Sequence, residues 1–155
     1  YPEKTGVPAT MVNTPYDDFT RWTSGYAANR EGWVEQMRLT AEGFEKGDEL
    51  WKEVVAKAQG REKIAAESDA VVYRAATLHW RTCVDQARFI LARDRGDKEE
   101  MRKYAKRELE TAKEMLSLVR RDSRLGFEAS NRYIYVPNDF LVKILNCRSV
   151  LGNGF

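Results

Sequence analysis

The longest segment without a helix-breaking residue is the strongest constraint on how this chain can fold. Residues 61–94 contain no glycine and no proline, and small or apolar residues recur along them at alternating spacings of four and three. This is the period of one helix face. The face consists of Ile64, Ser68, Val71, Ala75, Leu78 and Thr82, and a flanking stripe adds Val72, Ala76, His79, Cys83, Ala87 and Ile90. Such a helix spans about 50 Å, and so broad an apolar face requires packing partners on more than one side.

Two Gly-Asp pairs predict helix junctions. In Gly47-Asp48 and Gly96-Asp97, the glycine suits the left-handed position after a helix, and the aspartate can cap the next helix. The stripes around them predict helices over 30–46, 48–59, 61–94 and 97–121, with a short helix near 15–24 and a last one near 137–148. The predicted fold class is all-α: an antiparallel helical bundle, or tetratricopeptide-like helical hairpins, with one ordered C-terminal loop.

Charge and hydropathy argue against two classes of protein. The chain has 26 Lys and Arg against 24 Asp and Glu, a formal net charge of +2, so we expect no nucleic acid partner. No apolar run approaches the roughly 20 residues of a membrane-spanning helix. The chain opens without Met, and we interpret it as a piece of a longer protein. Residues 1–13 are expected to be a linker or extended arm, 14–151 a single helical domain, and 152–155 a frayed tail.

Residues with metal-binding or nucleophilic chemistry are few. His79 is the only histidine and shares a helix face with Cys83, which is half of a zinc site at best, so we expect no metal and no cofactor. Cys83 and Cys147 are interpreted as small buried side chains, and a bridge between them in an oxidising compartment stays open. The sequence contains no phosphate-binding glycine loop and no zinc signature, and it assigns no catalytic residue.

The aromatic residues raise the possibility of sugar binding, because flat aromatic faces stack on pyranose rings. Trp33, Trp51 and Trp80 lie on or beside apolar helix stripes, which is typical of core residues. Trp22 and Tyr26 lie in the less regular N-terminal part. These two residues are therefore the candidates for sugar stacking.

The polar stretch before the last helix is the main candidate site. It brings acidic, basic, amide and phenolic groups into one loop, which is typical of functional loops. The candidate groove or domain-contact residues are Asp122, Arg124, Glu128, Asn131, Tyr133 and Tyr135. The alternative is a structural loop that fixes the last helix. We expect Arg124 to be held by an acidic partner and Phe127 to be buried; Tyr133 to Val136 has strand propensity without an obvious partner.

The same stretch carries a resemblance to a known group of proteins. The run Asp-Ser-Arg-Leu-Gly-Phe-Glu-Ala-Ser-Asn-Arg-Tyr, from Asp122 to Tyr133, resembles a motif near the C-terminus of large bacterial glycoside-hydrolase-like proteins. The preceding helices are similar too, in Glu42-Gly43-Phe44, Leu50-Trp51, the run from Phe89 to Asp94 and the run from Met115 to Val119. The resemblance covers about residues 30–148.

The resemblance implies a function through a larger protein. In such proteins a catalytic barrel is expected upstream, and this region is a non-catalytic C-terminal accessory domain that packs on it and contributes to its substrate rim. The implied partners are the upstream catalytic domain of the same polypeptide and carbohydrate, and the implied location is periplasmic, cell-surface or secreted. We expect this chain alone not to hydrolyse glycosides. The alternatives are a stand-alone helical-repeat interaction module with a concave groove, and a small independent enzyme.

Overall fold

The described part of the chain consists of four helices and one short hairpin. The computed structural model describes residues 29–125, 127–128, 132–133 and 136–152. The elements are α1 (Arg30–Lys57), α2 (Gly60–Arg95), α3 (Lys98–Arg121), β1 (Phe127–Glu128), β2 (Arg132–Tyr133) and α4 (Pro137–Gly152). The all-α fold class is confirmed. The expected linker, the expected helix near 15–24 and tail residues 153–155 lie outside the described residues, whereas Gly152 is the last residue of α4.

Helices that follow one another along the chain pack against each other. The α1–α2 pair is antiparallel, because Arg30 at the start of α1 meets Asp94 near the end of α2, and Asp48 meets Arg74 further along. Arg74 also forms an ion pair with Glu114 of α3. Because a tight turn joins α2 to α3, these two helices are antiparallel as well. The predicted antiparallel packing of these neighbours is therefore confirmed.

The last helix continues the same arrangement. Arg102, near the start of α3, donates a hydrogen bond to the carbonyl oxygen of Leu151 near the end of α4. Glu108 of α3 pairs with Lys143 in the middle of α4. The α1–α2 turn and the α3–α4 connection thus lie at one end of the bundle, which we call the distal end. The α2–α3 turn lies at the other end, the proximal end.

The turn between α2 and α3 has the predicted geometry. Gly96 has a φ of 71°, which places it in the left-handed region that favours glycine. The side chain of Asp97 accepts a hydrogen bond of 3.0 Å from the backbone amide of Glu100 in the first turn of α3. The helix junction predicted at Gly96-Asp97 is therefore confirmed.

The junction predicted at Gly47-Asp48 is wrong, because α1 continues through it as one helix of 28 residues. Asp48 caps no helix; it is 5% exposed and accepts a 2.7 Å hydrogen bond from Arg74 Nη1 of α2. A Cβ added at Gly47 would lie 1.9 Å from Tyr73 Oη. The glycine therefore allows α2 to approach α1 closely, and the aspartate makes an inter-helix ion pair.

Gly47→Ala should lower the free energy of unfolding by about 1–2 kcal/mol, whereas Gly43→Ala should raise it by up to about 1 kcal/mol. Both glycines lie inside α1, where alanine is the better helix former. A Cβ at Gly43 has nothing within 4 Å, but at Gly47 it would displace the Tyr73 ring. Urea unfolding followed by circular dichroism measures both changes. Two stabilising changes would show that Tyr73 does not confine Gly47.

Two apolar clusters hold the helices together. The larger cluster consists of Ala75, Leu78, Ala112, Met115, Leu118, Val119, Leu125, Phe140 and Ile144. It joins α2, α3 and α4 around one core in the distal half. The smaller cluster, Val34 with Ala87 and Leu91, joins α1 to α2 in the proximal half. The bundle is thus a three-helix unit with α1 added along α2.

The predicted apolar face of α2 is not buried along its whole length. Ile64 is 70% exposed. Arg124 follows the end of α3 closely, and its guanidinium already contacts Ser68 of α2. Residues 60–67 of α2 therefore extend beyond the end of α3, which leaves the Ile64 side chain largely exposed.

The short hairpin corrects one expectation about the α3–α4 connection. Strand β2 pairs antiparallel with β1, with Phe127 opposite Tyr133 and Glu128 opposite Arg132. Tyr133 therefore does have a strand partner, which the sequence did not indicate. The partner is only two residues long, too short for a recognisable strand pattern.

Candidate functional site

The first residues of the predicted polar loop are anchored on α2. Asp122 Oδ1 accepts hydrogen bonds of 2.9 Å from both the backbone amide and Nε of Arg124. Arg124 Nη2 also donates to Ser68 Oγ at 2.6 Å. The hydrogen bonds from Arg124 hold the pKa of Asp122 down at about 2. Arg124 is therefore held by an acidic partner, as predicted, and this part of the loop folds back on a long helix.

The other predicted site residues are described only in part. The backbones of Glu128 and Tyr133 belong to the hairpin. Asn131, Tyr135 and the two candidates for sugar stacking, Trp22 and Tyr26, lie outside the described residues. The expected burial of the Phe127 side chain also lies outside what is described.

The tryptophans predicted to be core residues pack between α1 and α2. The ring centroid of Phe44 lies 5.5 Å from that of Tyr73 and 6.0 Å from that of Trp80. Trp51 lies 6.2 Å from Tyr73. Trp33 packs against the smaller apolar cluster. These rings are therefore engaged in helix packing, as tilted pairs at centroid distances that are usual for aromatic contacts.

The His-Cys pair on α2 is a packed pair of neutral groups. Cys83 Sγ lies 3.8 Å from His79 Nε2. Burial raises the pKa of the Cys83 thiol to about 11 and lowers the pKa of the His79 imidazole. A thiol that stays protonated is a weak nucleophile and a poor metal ligand. Cys83 and Cys147 are both free. Within the described ranges, no three or more His, Cys, Asp and Glu side chains are grouped to hold a metal ion.

A buried carboxylate on α2 was not singled out by the sequence. Asp85 is 0% exposed, and its Oδ2 accepts a 3.2 Å hydrogen bond from Arg107 Nε of α3. Arg107 Nη2 lies 3.1 Å from Oδ1 without hydrogen-bond geometry, so Oδ1 has no donor among the described residues. Burial raises the pKa of Asp85 to about 6, against the opposing charge of Arg107 and with the help of Glu108. Ionised Asp85 therefore lowers the stability of the folded protein.

A second buried carboxylate lies beside the first. Glu108 is 6% exposed, and its Oε1 pairs with Lys143 of α4 and accepts a hydrogen bond from the Thr82 hydroxyl of α2. Lys143 Nζ also donates to Thr82 Oγ1 at 3.0 Å. Oε2 has no donor among the described residues. We call Thr82, Asp85, Arg107, Glu108 and Lys143 the polar seam, because they join α2, α3 and α4.

An apolar cleft of about 270 Å³ opens beside the polar seam in the proximal half of the bundle. Its apolar wall consists of Phe89, Ile90, Ala105, Cys147 and Val150. Asp85, Glu108 and Lys143 of the seam line it as well. A second cleft of about 190 Å³ lies on the distal side of the seam and also touches Glu108 and Lys143. The seam thus separates two openings between the same three helices.

The seam could have been found from helix periodicity. In α3 the core positions Met101, Ala105, Ala112 and Met115 follow the four-three pattern only if Glu108 belongs to the same face. In α2 the predicted stripe, continued by three residues, arrives at Asp85. A charged residue at a core position is rare and indicates a specific partner. Both acids therefore carry a signal in the sequence, as charged residues on helix faces that otherwise consist of apolar or small residues.

Exposed apolar side chains are concentrated near the distal end. The described residues include eight large apolar side chains that are exposed. Six lie in or beside the distal half: Leu50, Val54, Ile64, Val72, Leu141 and Val142. We call these six the distal apolar residues. The other two lie elsewhere: Leu39 is in the proximal half of α1, and Leu145 of α4 lies on the proximal side of Lys143.

No helix in the described ranges is long and apolar enough to cross a lipid bilayer. Compared with protein families, with curated proteins and with solved structures, the chain has no significant match.

Proposed function

We propose that this chain is a non-catalytic helical accessory domain whose distal apolar residues pack on an upstream catalytic domain of the same polypeptide. The concentration of exposed apolar side chains near one end carries the proposal. Singly scattered apolar residues on a surface are ordinary, whereas a concentration of them is typical of an interaction surface. Leu50 and Val142 are 62% and 56% exposed, so both have much apolar area to bury in a contact.

The polar loop adjoins this end of the molecule. Asp122 and Arg124 fix the start of the α3–α4 connection on α2, and Leu141 and Val142 follow it in the first turns of α4. An apolar centre with polar groups around it is the usual composition of a protein interface. In the proposed complex, Glu128, Asn131, Tyr133 and Tyr135 supply the polar contacts and the part of the substrate rim that faces the catalytic domain.

The resemblance of residues 122–133 supports the nature of the partner. In the glycoside-hydrolase-like proteins that this motif resembles, a catalytic barrel is expected upstream, and the helical region follows it. The proposal therefore places the catalytic residues in the partner domain and carbohydrate at the rim between the two. The alternative, a helical-repeat interaction module, would use the same distal apolar residues for an unrelated partner.

The experiment measures binding between the 155-residue chain and the preceding region of its polypeptide, produced separately. Isothermal titration should detect association, and Leu50→Asp should weaken it at least about tenfold, because a buried unpaired charge opposes the contact. Leu39→Asp is the matched control: it is also an exposed leucine on a helix, 48% exposed, but lies in the proximal half. It should leave the affinity unchanged.

Three outcomes would contradict the proposal. The first is no association, and the second is equal weakening by the two aspartate variants. The third is a preceding region made of further helical hairpins in place of a barrel, which would favour the interaction-module alternative. Both positions are exposed, so unchanged thermal unfolding of each variant serves as the folding control.

A further inference from the structure

We propose that the cleft in the proximal half of the bundle is a binding site for a small primary amine with an apolar body. The cleft lies among α2, α3 and α4, away from the distal apolar residues, so this inference does not depend on the proposed function. Sites between the helices of a bundle, lined by apolar walls with a few polar groups, are a common place for small ligands.

The size of the cleft limits the body of the ligand. A closed apolar cavity of about 150 Å³ holds a benzene molecule. The cleft measures about 270 Å³, which leaves room for one aromatic ring and a short chain. Phe89 and Ile90 of α2 and Val150 of α4 provide apolar contacts for that body. The body is therefore of arylalkyl or short alkyl type.

The unsatisfied oxygens of the seam indicate the head group. Glu108 Oε2 and Asp85 Oδ1 are buried and accept no hydrogen bond among the described residues, although Asp85 Oδ1 keeps an ionic contact of 3.1 Å with Arg107 Nη2. A buried acceptor without a donor costs about 1–3 kcal/mol, and such groups in native proteins call for a specific explanation. Both atoms are acceptors, so the missing group is a donor. An ammonium group offers three N–H donors and no acceptor.

The balance of donors and acceptors favours an amine over an acid. Three charged seam residues line the cleft, the carboxylates Asp85 and Glu108 and the ammonium Lys143. Lys143 is already engaged by Glu108 and by the Thr82 hydroxyl. Arg107 likewise pairs with Asp85, so each seam carboxylate has one cation and the seam as a whole is neutral. What the seam lacks is donors: an ammonium ligand would form charge-assisted hydrogen bonds with the two oxygens, whereas a carboxylate ligand brings only further acceptors. Both oxygens are shielded from solvent, so binding requires a rotation of the carboxylate groups about their terminal torsions, which are soft.

The experiment titrates the 155-residue chain at pH 7.5 with three probes that share a phenyl ring and a short chain: 2-phenylethylammonium, 2-phenylethanol and 3-phenylpropionate. Amide chemical shifts report both affinity and location. The amine should bind at least about tenfold more tightly than the alcohol or the acid. The largest shifts should fall on cleft residues such as Ile90, Ala105 and Val150.

Two variants test the assignment of the site. Glu108→Gln keeps the shape of the side chain and should weaken amine binding at least about tenfold. Glu110→Gln is the matched control on the same helix, because Glu110 is exposed and its ion pair with Lys113 lies within α3. Val150→Trp should fill the cleft and abolish binding without changing a charge, which keeps the site testable if Glu108→Gln does not fold.

The possible contrary results are distinct. Equal affinity for the amine and the alcohol would show that the cleft binds only the apolar body. Tighter binding of the acid would show that the site prefers a carboxylate to an ammonium group. No binding of the amine up to about 10 mM would leave ordinary water as the partner of the two oxygens. Unchanged amine binding in Val150→Trp would place the ligand elsewhere. Each of these results would overturn the proposal.

Discussion

Arg74→Met should lower the free energy of unfolding by about 3 kcal/mol. Arg74 of α2 bridges two carboxylates on different helices: Nη1 donates to Asp48 at 2.7 Å, and Nε donates to Glu114 at 2.6 Å. Asp48 is 5% exposed, so the variant leaves a buried carboxylate without its cation. Removing one partner of a buried pair is far more damaging than the net contribution of the pair suggests. Chemical denaturation of the whole chain measures the change.

Arg38→Met provides the matched control. Arg38 also pairs with two carboxylates, Glu35 and Glu42, but all three lie on α1 and are substantially exposed. Exposed pairs within one helix contribute little, so this variant should unfold nearly as the wild type does. Adding Asp48→Asn to Arg74→Met should restore part of the lost stability, because the uncompensated charge is then gone. Equal losses of stability in Arg74→Met and Arg38→Met would show that the burial of Asp48 does not determine the effect.

Asp85→Asn should stabilise the protein at pH 7.5 by about 2 kcal/mol, and this advantage should disappear as the pH falls from 7 to 4. The pKa of Asp85 is raised to about 6 in the folded protein, mainly by burial. Between pH 4 and 6 the folded wild type binds a proton that the unfolded chain does not bind. Wild-type stability therefore rises as the pH falls through this window, whereas the asparagine variant lacks this contribution. Above pH 7 the difference should be constant.

Asp94→Asn is the control with the opposite sign. Burial alone would raise the pKa of Asp94, but hydrogen bonds from Arg30 and Arg93 outweigh it and lower the pKa. Its effect on stability should therefore stay constant from pH 7 down to pH 5 and change only below that range. The unfolding midpoints of the wild type, Asp85→Asn and Asp94→Asn across this pH series test both expectations. A pH-independent difference between Asp85→Asn and the wild type would show that Asp85 titrates normally.

The fold was predictable where local chemistry and tertiary packing favour the same structure. Gly96 and Asp97 form the turn expected of them, because the chain reverses there and both residues act locally. The pair Gly47-Asp48 consists of the same two residue types but forms no turn, because α1 continues through it. Their role is set by Tyr73 and Arg74 of another helix, which no local pattern reveals. The burial of Ile64 was overestimated for a related reason: periodicity shows which face is apolar, but not how far the partner helix extends.

The candidate site was predictable only in part. Arg124 and Asp122 lie two residues apart, and their pairing follows from proximity along the chain. Asp85 and Glu108 are brought together by the packing of α2 on α3, and their unsatisfied oxygens depend on the placement of Arg107 beside Asp85 and of Lys143 beside Glu108. Sequence periodicity could place the two acids on core faces, but the number of donors that reach them is a property of the folded chain.

The 36-residue length of α2 has a consequence for where this fold tolerates insertions. Arg74, Thr82 and Asp85 each serve a different contact on one continuous helix. A single residue inserted between them would turn everything on one side by about 100° relative to the other. The contacts with α1, α3 and α4 would then be out of phase together. Residues 60–67 extend beyond α3, so an insertion there would leave the contacts of Arg74, Thr82 and Asp85 in phase with one another, and the packing it would disturb is that of Ala66, which is 7% exposed.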